Sequence, residues 1–149
     1  MRPTLAEQLR GLRRVLDVAV APAIADDYAT EALAGVQRAL AMLEAREPEV
    51  LPFLLWDNAA TADLLAHIAS AGVALAGPLA PAEPVDHTRI AALDAENERL
   101  RGLLAGAVPA LAAAPEGSAV AALHADVVAH LRERIARYPY VSTGVLPSR

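Results

Sequence analysis

At 149 residues with no cysteine, the chain is long enough to bury one continuous core, while disulfides, thiolate zinc sites and cysteine nucleophiles are all excluded. Hydrophobic residues make up 55% and aromatics only 3%, so the apolar content is mostly Ala, Leu and Val, dominated by the helix formers Ala and Leu, and close-packed helices are expected. The net charge is −5 and all thirteen basic residues are Arg, a balance that argues against a nucleic-acid partner.

The opening MRPTLAEQLRGLRR has no apolar run of the export-signal kind, and with the absence of cysteine this points to the cytoplasm. An interior proline costs a helix about 3 kcal/mol, so the Pro-free windows mark the helices. The first is expected over 4–21. Thr4 and Glu7 can form a capping box, Leu5, Leu9, Leu12, Leu16 and Ala19 make a core-facing stripe, and Pro22 closes it. The second, over 26–46, starts at the capping residues Asp26 and Asp27 and repeats the spacing with Ala29, Leu33, Val36, Leu40 and Leu43. These two read as an antiparallel hairpin.

After a charged corner around Pro48, the third helix, over 51–71, is the most apolar part of the chain and holds its only Trp and Phe. Phe53, Leu64 and Ile68 form one row and Leu54, Leu65 and Ala69 another, an arc that suits a central bundle helix. Asp57, Asn58, Asp63 and His67 interrupt the run, so it is no membrane span. Gly72 can cap its C-terminus. Residues 72–86, rich in Gly and Pro, form an extended crossover linker. The fourth helix, over 87–107, is capped by Asp86 or Thr88. It carries Ile90, Leu93, Asn97, Leu100 and Leu104 at heptad spacing; an Asn at such a position can set the register of a dimer seam, but fewer than three heptads precede Gly106 and Pro109, which favours an ordinary bundle helix. Ser118 caps the fifth helix, over 118–137, which is expected to bury Val120, Leu123, Val127, Leu131 and Ile135. The tail, 138–149, is expected to be extended. The whole is expected to be one all-α domain, a four- or five-helix bundle with short loops and one Pro-rich crossover.

Few residue groups could carry chemistry. Asp63 and His67 on the third helix, and Asp126 and His130 on the fifth, each pair an Asp with a His four residues on, which places both on one helix face. Side by side, such pairs could hold a metal, although the same spacing also makes an ordinary surface pair, and the Glu-x-x-His motif of di-metal bundles is absent. Trp56, Asp57 and Asn58 lie inside the apolar helix. Polar groups there need partners, either an Arg or loop at a bundle end or the ligand of a small-molecule pocket. The Arg clusters 10, 13, 14 and 132, 134, 137 are diluted by acidic neighbours and read as solvated faces. There is no Gly-rich phosphate loop, no nucleophile elbow and no HExxH, so no cofactor and no catalytic residue is expected.

Arg2-Pro3-Thr4, Leu9, Leu16, Val20-Ala21-Pro22, Tyr28-Ala29 and the run Leu33, Val36, Ala39-Leu40, Leu43-Glu44 resemble a family of uncharacterised bacterial helical domains of unknown function. Its members occur fused to, or encoded near, aminoglycoside-phosphotransferase-like kinases and acyl-CoA-metabolising enzymes. The resemblance covers the first third of the chain and implies an accessory role beside such an enzyme. Together these readings favour a non-catalytic interaction module, a homodimer or the partner of a metabolic enzyme, with no nucleic acid or membrane involved. The alternative is a small-molecule or metal-binding bundle, enzymatic in one version, that uses the Asp/His pairs or the Asp57/Asn58 pocket.

Overall fold

The computed structural model describes residues 3–139, and among them it is all-α, with no strand. There are four α-helices: α1 (Leu5–Val15), α2 (Asp27–Ser70), α3 (Ile90–Ala112) and α4 (Ala119–Arg137). The capping box forms at α1: the Thr4 N–H donates to Glu7 Oε2 at 2.8 Å and the Glu7 N–H donates to Thr4 Oγ1 at 3.2 Å. A π-turn over Leu16–Val20 and a 3-10 turn over Ala21–Ala23, which holds Pro22, carry the chain on from α1. Asp26 Oδ1 accepts from the Ala29 N–H at 2.8 Å and Ser118 Oγ from the Ala121 N–H at 3.1 Å, so both caps read from sequence are made. Gly72 ends α2 at φ 84°, where a side chain would be strained.

The second and third expected helices are one. The 44-residue α2 runs through Pro48 and Pro52. A proline has no N–H, so the carbonyls of Glu44 and Pro48 lose their intrahelical partners. The spacing of four places both gaps on one side of the helix, and the Ala, Leu and Glu residues around them favour helix strongly enough to hold it across. The fourth expected helix also shifts. α3 starts at Ile90 because Asp86 is used in a local turn, its Oδ1 accepting from the Thr88 N–H at 2.9 Å, and it continues through Gly106 and Pro109. Residues 71–89 contain no helix, as their Gly and Pro content implies. The expected extended tail, apart from Tyr138 and Pro139, lies outside the described residues.

The chain divides into two compact units, one holding the residues up to Glu49 together with those from Pro139 on, and the other Val50–Tyr138. In the second unit Leu65 and Ile68 of α2, Leu100, Leu104, Ala107 and Leu111 of α3 and Val127 of α4 form one core, against which Val73, Leu75 and Leu79 of the connector pack. Phe53, Leu54 and Leu93 form another. On α4 Val127 is buried and Val120 and Leu123 pack, partly buried, against the same core, but the last two expected positions do not follow. Leu131 is 42% and Ile135 63% exposed, because His130 and Arg134 take the inward positions.

The first unit contrasts with this. Arg10 Nε and Arg13 Nη1 donate to Glu44 at 2.8 and 3.0 Å, and Gln37 Nε2 donates to Asp17 Oδ1 at 2.6 Å, a pattern that sets α1 antiparallel to the first half of α2. Yet of residues 3–49 only Leu9 is buried. The stripes expected to face a core stay largely open: Leu5, Leu12 and Val36 are 50% exposed or more. Among the described residues the two helices cover only part of each other's broad apolar arc, which leaves one side of the pair largely exposed.

Candidate functional site

Buried polar residues of the second unit converge on Asp57, which is fully buried. Its Oδ2 accepts from Asn97 Nδ2 at 2.6 Å and from Arg134 Nε at 2.8 Å. Asn97 Nδ2 also donates to Asn58 Oδ1 at 2.8 Å, and Asn58 Nδ2 donates to the Leu93 carbonyl at 2.9 Å. Thr61 Oγ1 and His130 Nε2 lie 3.0 Å apart, a pair that is satisfied in either imidazole tautomer. The other carboxylate oxygen, Asp57 Oδ1, has no hydrogen-bond partner among the described residues, and His130 Nε2 stands 3.5 Å from it. Arg134 further lies 5.6 Å from the ring centres of Phe53 and Tyr138, and Arg137 4.4 Å from that of Trp56. The layer therefore ties α2, α3 and α4 together through one buried ion pair and its amides.

Thr61, His130 and Asp57 are residue types of a nucleophile, base and acid, but their geometry is not that of a catalytic triad. A triad needs the carboxylate on one ring nitrogen and the hydroxyl on the other, whereas both oxygens here face the same nitrogen. Thr61 is also only 1% exposed, which shuts substrate out. The arrangement is suited to fixing helix register, since a slip of any helix would strand a buried charge.

Beside this layer is a cavity of about 480 Å³ whose walls include Leu55, Asn58 and Ala59 of α2, Leu93 of α3, and Pro81 and Val85 of the connector. Small residues on α2, Ala59 and Ala62, leave the hollow, and Asn58, His87 and Glu96 are its polar groups. The connector is fastened there by Arg99. Its guanidinium bonds both oxygens of Glu96 at 2.7 Å and donates to the carbonyls of Pro78 and Leu79 at 2.8 Å each. The bonds to Glu96 raise the Arg99 pKa above its usual value, against the opposing effect of burial.

No family model, curated protein or solved structure matches the chain.

Of the residues singled out from sequence, Asn58 lines the cavity, Asp57 anchors the polar layer and bonds an Arg, and Trp56 packs on Arg137 and His130. The four metal candidates do not assemble. Asp63, His67 and Asp126 are exposed, His130 turns toward Thr61, and no group of three or more ligand-type side chains converges among the described residues. The seam of α3 is likewise corrected. Leu93, Asn97, Leu100 and Leu104 are at most 4% exposed, buried within the chain, so they are not free to meet a second copy, and Ile90 alone is exposed. Sequence reasoning missed Thr61 and Arg134, although the heptad rows Leu54-Thr61-Ile68 and Val120-Val127-Arg134 carry both to the core side.

Proposed function

We propose that the chain is a non-catalytic interaction module that engages a protein partner through its N-terminal hairpin, acting in the cytoplasm. The observation that carries this reading is the open apolar side of the hairpin. A contiguous exposed apolar surface on a water-soluble chain marks a docking site. Covering that side would complete a helical bundle around α1 and α2. The resemblance of this same segment to enzyme-associated helical domains supports an accessory role beside a kinase-like or acyl-CoA-metabolising enzyme. The test is capture of partners by the tagged chain and, in parallel, by Val36→Glu. Retention of the same proteins by both, at equal yield, would remove the hairpin as the docking surface.

The cavity beside Asn58 supports a second reading, a small-molecule site. Its volume is within the range of ligand pockets, and its lining is apolar with few polar groups. Such a ligand is compact and largely apolar, with one group able to hydrogen-bond an amide. A screen for ligands that raise the melting temperature, repeated on Asn58→Leu, tests it. A hit of equal size in the variant excludes this cavity.

A further inference from the structure

The hairpin's bare side carries a second set of seam positions. On α1, Leu5, Gln8, Leu12 and Val15 follow steps of three, four and three, and on α2, Ala29, Ala32, Val36, Ala39 and Leu43 follow three, four, three and four. That spacing belongs to a helix-packing seam. Most of it is uncovered: Leu5 is 51%, Leu12 55%, Val15 57%, Val36 50% and Leu43 38% exposed. Each seam sits about a quarter turn or more around its helix from the residues that bond across the hairpin, Arg10 and Arg13 on α1 and Gln37 and Glu44 on α2. Because the helices run antiparallel, the two seams fall on the same side of the pair, with the partly buried Leu33 and Leu40 between them.

We infer that this face is closed by the same face of a second copy of the chain, two hairpins forming a four-helix interface. The inference rests on the docking role proposed above and names the partner. Three observations favour a second copy over a different protein. The seam has no charged residue, so two identical faces meet without like-charge repulsion. The nearby charges Arg10, Arg13 and Glu44 are already paired within the hairpin and ask for no complement. Covering the five large side chains removes on the order of 500 Å² of surface per chain, and Leu33, Leu40 and the alanines bring this toward the roughly 800 Å² per partner of a stable interface. Exposed Ala32 and Ala39, one heptad apart, let the backbones approach closely.

The test is sedimentation equilibrium on the full chain up to about 100 μM, a hundred times a micromolar dissociation constant. The expected mass is twice the 15.5 kDa of one chain. Leu12→Glu and Val36→Glu each weaken association by about 100-fold or more, while Ala66→Glu, an exposed position on the second half of α2, leaves it unchanged. Val36→Cys, in a chain with no other thiol, should cross-link between copies with a bis-maleimide, independently of whether the Glu variants fold. A dimer indifferent to both Glu variants overturns the assignment of the face. A wild-type monomer overturns the second copy as occupant. In that case, partner capture still abolished by Val36→Glu leaves the docking role standing, and capture unaffected by it removes both.

Discussion

Replacing Arg134 by Met removes one side of the buried ion pair while keeping most of the aliphatic stem. Asp57 is 0% exposed, and its Oδ2 would keep only the neutral Asn97 amide at 2.6 Å. Leaving a buried carboxylate without its cation costs about 3–5 kcal/mol, several times an exposed pair's worth. For a unit of this size even the lower figure lowers the melting temperature by about 12–24 °C. Adding Asp57→Asn to Arg134→Met removes the uncompensated charge. The double variant is therefore expected to be more stable than Arg134→Met alone, with a coupling between the sites of about 2–3 kcal/mol. Urea unfolding followed by the fluorescence of Trp56, which lies in the same unit, reads the wild type, Arg134→Met, Asp57→Asn and the double variant. A loss below about 1 kcal/mol for Arg134→Met, or simple additivity of the two changes, would refute the claim that this pair holds the three helices in register.

Acid should loosen the hairpin. Bonds from Arg10 and then Arg13 hold the Glu44 carboxyl below its usual pKa, and the Thr4 N–H does the same for Glu7. A depressed carboxylate contributes stability that is present above its unfolded pKa, about 4.3, and is lost as pH falls through the folded value. Helicity by circular dichroism should fall in that window, and Glu44→Gln should flatten the fall; an unchanged profile would count against the bridge. Gly102→Ala, inside α3 with nothing beyond its own turn of helix within 4 Å of the added carbon, should raise stability by about 1 kcal/mol, whereas Gly72→Ala at φ 84° should lower it by about 1–2 kcal/mol, both read by thermal unfolding. Thr4→Ala should cost about 1 kcal/mol through loss of the capping box, seen as fraying of α1 in hydrogen exchange.

The helical class was legible because composition, caps and apolar spacing all agree. Thr4, Asp26, Ser118 and Gly72 mark boundaries by local chemistry alone, and each does so in the structure. Pro48 misled for a physical reason: its cost is finite, and the strong helix formers on both sides outweigh it. Asn97 left two readings open, a seam between copies or an ordinary bundle helix, and its burial within the chain fits the second. Heptad spacing states that a residue faces a core but not whose core it is, and here α2 and α4 of the same chain supply it. Asp57 was legible as a polar group that must find a partner, but Arg134 lies 77 residues away, and only the tertiary fold brings the two together. The hairpin stripes show the converse: their pattern is that of a core, yet among the described residues much of it stays exposed.

The clasp made by Arg99 divides the connector into two kinds of chain. Before it, Val73 and Leu75 are packed into the core, and Ala76 lies 3.4 Å from where a side chain on Gly106 would begin. Beyond it, Ala82, Glu83 and Pro84 are exposed. Lengthening an exposed loop adds only about 0.6 kcal/mol per doubling. An epitope or a foreign peptide spliced at Glu83 is thus expected to ride on the intact protein, while the same graft at Leu75 would pull the connector out of the core. The fold offers a ready point of attachment, and a single guanidinium sets where it begins.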